Sequence, residues 1–387
     1  MKFIHAADLH IGRYLKDISL LDDQEDALNQ LIQIINEESP DALVIAGDVY
    51  DRSVPREDAV RVYNSFLTRL AELGVNVFLI TGNHDSSERV QVLNSLLETH
   101  GLLLQGHPED PLKKVGIRDE FGEVSFYFLP YKDSFALREI YGLNESKDDS
   151  VLYDEIIRRS AAGDGNRKVL IFHGFVTPGV KEDMETSDSE RLLTVGGTDF
   201  VMAEVFDIFD YVALGHLHKP QWVRKGKIRY SGSLMKYSFS EANHMKSISV
   251  VEMDKEGIVE VRERHITPLR DLVILKGSFS DLMNSPGENH AKDFVRAVIT
   301  DTDEIQDPLE RLRVRYPNII ELQRERDMQE EGASFAALEK MEARDVRSLF
   351  HEFYLLENGD EPSDEMVRII DETVKEMGVT SDETYKA

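Results

Sequence analysis

The sequence predicts an α/β fold, because short apolar runs alternate with amphipathic helical patterns and five short polar motifs each directly follow such a run. In open α/β sheets, ligands bind beyond the carboxyl ends of the strands. Residues about two hundred positions apart can therefore converge on one site.

The first strand is expected over Phe3 to Ala7. A helix follows, with Leu28, Leu31, Ile32 and Ile35 on one face. Ala42 to Ala46 reads as a second strand, and Val60, Tyr63, Leu67 and Leu70 mark the apolar stripe of a second helix. Val75 to Thr81 is a third strand, and Glu88 to Thr99 a third helix carrying Val90, Leu93, Leu96 and Leu97. Later strands are expected at Val124 to Leu129, Lys168 to Phe172, Tyr211 to Leu214 and Ile228 to Ser231. A smaller domain begins near Pro268. Residues 270–322 read strand, helix, strand, strand, with the helix around Asn289 to Val298. A charged linker follows, and then two amphipathic helices, Arg344 to Leu356 and Ser363 to Met377, the second stopped by Gly378. The domains are accordingly expected at 1–268, 269–325, 326–342 (linker) and 343–387 (helical tail).

The chain has 387 residues, 41% hydrophobic and 30% charged, which suits a multidomain globular protein. It has no cysteine, so thiolate metal sites are excluded and any metal must sit on nitrogen and oxygen ligands. His5 and Asp8 interrupt the first apolar stretch, which argues against a signal peptide. No run reaches the roughly 18 apolar residues of a membrane span. A soluble, cytoplasmic protein with no membrane partner is expected. The formal charge of -28 opposes long-range attraction to DNA, unless metals or a partner supply positive charge.

The five motifs are Asp8-Leu-His10, Gly47-Asp48-Val-Tyr-Asp51, Gly82-Asn83-His84-Asp85, His173-Gly174 and Gly215-His216-Leu-His218. Taken singly, none is specific: a histidine at a strand end is usually structural, and Gly-Asp usually marks a turn. Five in order, each at a strand end, point to a binuclear metal centre. Asp48 has two oxygens and can bridge two cations, and Asn83 can offer its carbonyl oxygen. Alternation in Asp8-x-His10 puts both side chains on one side, and neutral imidazoles of His173, His216 and His218 complete mixed nitrogen and oxygen shells, which suit manganese, iron or zinc better than calcium. Two such ions about 3.5–4 Å apart can clamp a phosphodiester and activate water. His84 need not be a ligand; it could protonate the leaving oxygen or bind a non-bridging one. Asp85 could orient His84, and Asp51 could hold a histidine ring by its distal N–H. Asp51, Asp85 and Arg89 could equally be ion pairs or caps.

The set D-x-H, G-D-x-x-D, G-N-H-D, H and G-H-x-H resembles the calcineurin-like metallophosphoesterase superfamily. His5-Ala-Ala-Asp-Leu-His-Ile-Gly12, Ser189-Glu-Arg191, Val195-Gly-Gly197, the run Asp210 to His218, Tyr230-Ser-Gly-Ser233 and Pro268-Leu-Arg270 narrow the resemblance to the SbcD family of nuclease subunits. The resemblance implies a two-sheet sandwich flanked by helices, with a smaller α+β capping domain and a C-terminal helical tail. It implies one metal on Asp8, His10, Asp48 and His218, a second on Asp48, Asn83, His173 and His216, and a catalytic, non-ligand His84. Manganese would be the working metal. The activity would be exonuclease on duplex DNA ends and endonuclease on single strands or hairpins, in DNA repair and recombination. A homodimer would pair with an SbcC-type coiled-coil ATPase in a heterotetramer. No Gly-x-x-x-x-Gly-Lys-Ser/Thr occurs, so ATP would be handled by that other chain.

In the tail, Leu349, Phe350, Phe353 and Tyr354 form one apolar patch, and Met366, Ile369, Ile370 and Val374 another. Helix-in-groove docking onto the partner is expected of them, against simple packing on their own domain. Two other functions stay open: a phosphatase or cyclic-nucleotide phosphodiesterase with the same metal chemistry, and a scaffold whose metals only order the fold.

Overall fold

The computed structural model describes residues 1–143, 149–179, 184–190, 200–284 and 290–325, with 354, 362, 363 and 366–369. Two six-stranded sheets form its larger part. The first runs in the order Val259–His265, Ser247–Met253, Lys2–Ala6, Ala42–Ala46, Asn76–Ile80, Leu102–Gln105. Its last four strands are parallel, and Ser247–Met253 joins Lys2–Ala6 antiparallel. The second runs Gln221–Arg224, Ile228–Tyr230, Tyr211–Gly215, Arg167–His173, Gly122–Leu129, Lys114–Asp119, with the middle four parallel.

The two-residue strand period decides which layer each side chain enters. Phe3, Val44, Phe78, Phe126, Phe128, Ile171 and Ala213 share one core between the sheets. Phe3 meets the Phe126 ring edge-on at 5.6 Å, and Phe78 meets it tilted at 4.9 Å. Ile4, Leu43, Ile45, Val77 and Leu79 point the other way, onto helices Leu21–Glu38 and Glu57–Leu73. Leu170, Val212 and Leu214 meet helices Ser134–Tyr141 and Asp149–Ala161 on the far face of the second sheet. Helices cover both outer faces, which is why the central strands are apolar throughout. His5 ties the sheets together: its Nε2–H donates to the Leu214 carbonyl (3.1 Å) and its Nδ1 accepts from the Tyr211 hydroxyl (3.0 Å). Burial lowers its pKa to about 3, so it stays neutral there.

The described residues fall into two compact units. One holds 1–274, 290–296 and 316–320; the other holds 275–284, 297–315 and those from 321 on. Two expectations are corrected. The helix placed around Asn289 to Val298 is a strand, Phe294–Ile299; the helix of this region lies earlier, at Phe279–Asn284, and a further one follows at Pro308–Arg313. The single helix over Glu88 to Thr99 is two short ones, Ser87–Val90 and Asn94–Glu98, because Leu93 turns left-handed between them (φ 62°). Of the tail, Leu349, Phe350 and Phe353 lie outside the described residues, while Tyr354 is half-buried and 366–369 are helical. No helix among the described residues is long and apolar enough to cross a membrane.

Candidate metal centre

All five motifs lie at the carboxyl ends of their strands, and the register brings them together: Gly215 is level with His173, and Ala46 with Ile80. Past the strand ends, the first two loops keep pairing as if the sheet continued. Asp8 N–H donates to the Gly47 carbonyl (3.1 Å), His10 N–H to Asp48 (2.9 Å) and Ile11 N–H to Val49 (2.9 Å). That tight turning forces positive φ on Asp8 (53°), His10 (43°) and Asp48 (51°), and His216 reaches 113° on the other sheet. These four are half of the eight non-glycine residues with positive φ among the described residues. Such strain costs about 1–3 kcal/mol per residue and persists where surrounding structure holds a functional geometry. Gly215 has no alternative here, since a methyl group would collide with the Ala46 carbonyl and the His173 ring.

Asp8, His10, Asp48, His84, His173, His216 and His218 are all buried. Three sets offer ligand atoms within 4.8 Å of one another: Asp8, His10 and His218; His10, Asp48 and His84; Asp8, Asp48 and His173. Asp48 Oδ2 lies 3.6 Å from His10 Nε2, 3.5 Å from His173 Nε2 and 4.0 Å from His84 Nε2. Asn83 Oδ1 is 2.9 Å from His173 Nε2. His216 is outside the three tight sets. Its ring centre is 5.5 Å from that of His173, and its backbone N–H donates to Asp8 Oδ1 (2.9 Å).

Hydrogen-bond partners assign the tautomers. His173 Nδ1–H donates to the Ala46 carbonyl (2.9 Å) and His84 Nδ1–H to the Asp51 carbonyl (2.8 Å), so each Nε2 presents a lone pair inward. Inside, electron-rich atoms crowd together. His173 Nε2, its proton on Nδ1, faces the Asn83 oxygen, His10 Nε2 meets His218 Nε2 at 3.0 Å across a single proton, and Asp8 Oδ2 is buried with no hydrogen-bond donor. Burial, then the Asp48 carboxylate, pushes the Asp8 carboxyl well above its ordinary range. Burial also lowers His10, His173 and His216, keeping these imidazoles neutral. Neutral imidazoles, carboxylates and an amide oxygen with too few protons between them fit divalent cations.

Two predicted supporting roles change in detail. Asp51 does hold a histidine by its distal N–H, but through its backbone carbonyl; its carboxylate pairs with Arg13 (2.6 Å). Asp85 does not touch the His84 ring. It accepts the backbone N–H groups of Val49 (3.0 Å), Tyr50 (2.9 Å) and Gly82 (2.9 Å), pinning the second and third loops together. Desolvation and Asp48 push its carboxyl up to about 7, against the pull of those three donors. Arg89 donates to the Ser53 carbonyl. Sequence reasoning missed Gln24, whose amide holds the carbonyls of Leu9 (3.2 Å) and His10 (2.6 Å), and also missed Glu241 and Lys246 behind His218. None of the three carries a motif signal of its own.

Calcineurin-like phosphoesterase is the family matched over residues 1–220, and the family described as type 5 capsule protein repressor C-terminal domain matches 268–358. Over 359 residues the chain is 31% identical to the SbcD subunit of the nuclease SbcCD of Staphylococcus epidermidis, covering 92% of each. This chain belongs to the SbcD family of calcineurin-like phosphoesterases. Among solved structures, a dimetal phosphatase from Danio rerio aligns over 69% of this chain and 97% of its own, with 13% identity and a TM-score of 0.42. A Thermus thermophilus protein aligns over 68% and 98%, with 12% identity and a TM-score of 0.39. The SbcD-family membership accounts for the pairing of a phosphoesterase site with further chain beyond residue 268.

Proposed function

We propose that this protein is a two-metal DNA nuclease subunit, acting as an exonuclease on duplex ends and an endonuclease on single strands and hairpins. The observation that carries this reading is the proton-poor cavity in which carboxylates, an amide oxygen and imidazole lone pairs converge from five strand ends, in a chain of the SbcD family. Asp8, His10, Asp48 and His218 hold one ion, and Asp48, Asn83, His173 and His216 the other, with manganese as the working metal. Such ions supply Lewis acidity toward a phosphodiester and its attacking water. His84 is the catalytic residue: with Nδ1–H fixed on the Asp51 carbonyl, its Nε2 faces the cavity to serve the leaving or a non-bridging oxygen.

A cavity of about 270 Å³ beside the centre is lined by Tyr14, Lys16, Arg52 and Arg56 together with Asp17 and Asp51. Arg52 and Arg56 are largely exposed there, paired with Asp51 (3.4 Å) and Asp58 (3.6 Å), and would meet backbone phosphates by exchanging those carboxylates for them. A coiled-coil ATPase of the SbcC type gates the reaction, received by the helical tail at Leu349, Phe350, Phe353 and Tyr354. Residues 269–325 form the capping domain, after a nuclease domain at 1–268, and 326–342 the linker. The homodimer face is the apolar groove of about 620 Å³ along helix Glu57–Leu73, with Val92, Leu93 and Leu96 exposed on its edge.

The test is cutting of a 5′-labelled hairpin DNA with manganese, with and without the ATPase partner and ATP. Manganese-dependent cutting that rises with partner and ATP supports the reading. No cutting alongside hydrolysis of small phosphodiesters would replace it with a phosphodiesterase.

A further inference from the structure

The histidines of the centre are not held alike. His173 and His84 each rest on a backbone carbonyl, whereas His218 is backed by a buried chain of side chains. Its Nδ1 lies 2.7 Å from Ser189 Oγ, which lies 2.5 Å from Glu241 Oε1. Lys246 Nζ closes the chain on Glu241 Oε2 (2.5 Å) and also donates to the His218 carbonyl (2.8 Å) and Ser233 Oγ (2.9 Å). Ser189, Glu241 and Lys246 are all buried, Glu241 completely.

Proton counting gives this chain one direction. Glu241, paired with Lys246, is a carboxylate and can only accept. At 2.5 Å from that carboxylate the single Ser189 hydroxyl proton goes to Glu241, so the Ser189 oxygen accepts from His218 Nδ1–H and from the Ser187 hydroxyl (2.9 Å). His218 is thereby held as the Nδ1–H tautomer, with its Nε2 lone pair directed at His10 Nε2, 3.0 Å away. The same segment grips the His218 backbone: Glu190 Oε1 accepts the His218 N–H at 2.7 Å.

We propose that Ser189, acting with Glu241 and Lys246, is the positioning residue that sets the tautomer and aim of His218, and so sets the affinity of the Asp8–His10–His218 metal position separately from the other. This rests on the metal assignment proposed above. A carboxylate-backed imidazole is a stronger donor than one on a neutral carbonyl, and loss of such support typically costs about 10–100-fold in metal affinity. His173 is thus held by main chain and His218 by a buried charged relay.

The experiment is manganese titration of the full chain, followed by calorimetry and by the electron paramagnetic resonance of the bound ions, in the unaltered protein, Ser189→Ala and Ser189→Thr. Ser189→Ala should lose about 10–100-fold in affinity at one position only, with the spin-coupled two-ion signal giving way to that of a single ion. Ser189→Thr keeps the hydroxyl and should restore the coupled signal. Two ions bound by Ser189→Ala as tightly as by the unaltered protein would overturn the relay and leave the two-metal reading standing. Equal weakening of both positions would also overturn it, by showing a general structural role. An unaltered chain that never binds a second ion would overturn the metal assignment itself.

Discussion

The two sheets furnish different halves of the centre. The first brings both carboxylates, Asp8 and Asp48, with Asn83, His10 and His84, on three loops knitted to each other by main-chain bonds and by the Asp85 carboxylate. The second brings His173, His216 and His218, imidazoles whose placement depends on contacts made elsewhere. His173 leans on Ala46, the His216 backbone on Asp8, and His218 on the Ser189–Glu241 chain. The lesson is one of charge and order. The first-sheet side forms a carboxylate-bearing cradle from a stretch of sequence ending at Asp85, and the second-sheet side docks imidazoles onto it across the sandwich.

The sharpest way to break that contrast is Asp48→Ala. Asp48 reaches His10, His84 and His173, so its loss should empty both metal positions and lower nuclease activity roughly 10⁴-fold. Metal content by mass spectrometry beside a cleavage assay checks this; an Asp48→Ala protein holding two ions would dissolve the distinction between the sheets. Next is His84→Gln, which removes a first-sheet imidazole not assigned to a metal. It should keep both ions and lose about 10²–10⁴-fold in cutting. Full cutting with both ions retained would remove His84 from catalysis.

Asp85→Ala tests the cradle itself. It strands three backbone N–H groups, at about 1–3 kcal/mol for each one left unsatisfied, and should lower the urea midpoint of the metal-free protein. An unchanged midpoint would mean that the loops hold each other without it. The smallest effect on the centre should come from deleting residues 336–387: metal binding unchanged, partner binding lost. Collapse of the fold on that deletion would show the tail to be part of the core instead.

Much of the fold is legible in the sequence where periodicity and motif coincide. Each strand that carries a motif is located to within a residue or two, because an apolar run ending in a polar cluster is a local signal. The antiparallel strands Ser247–Met253 and Val259–His265 and the edge strands Leu102–Gln105 and Lys114–Asp119 escape that reading, since they carry no motif and are defined by their neighbours. Phe294–Ile299 reads wrongly as helix because a short apolar run fits helix or strand equally, and pairing in its three-stranded sheet decides. Leu93 breaks its helix by a backbone turn that a leucine gives no reason to expect.

The sequence by itself determined the candidates for the chemistry. Residue type, order and strand-end placement were enough to nominate Asp8, His10, Asp48, Asn83, His84, His173, His216 and His218, because ligand atoms are properties of side chains and strand ends are properties of short segments. Only the tertiary structure decided how each is held: Asp51 by its carbonyl rather than its carboxylate, Asp85 as a staple between loops, and Ser189 and Glu241 behind His218. Those supports are hydrogen bonds between residues distant in sequence. Their partners are chosen by the packing of two sheets, which no local spacing encodes.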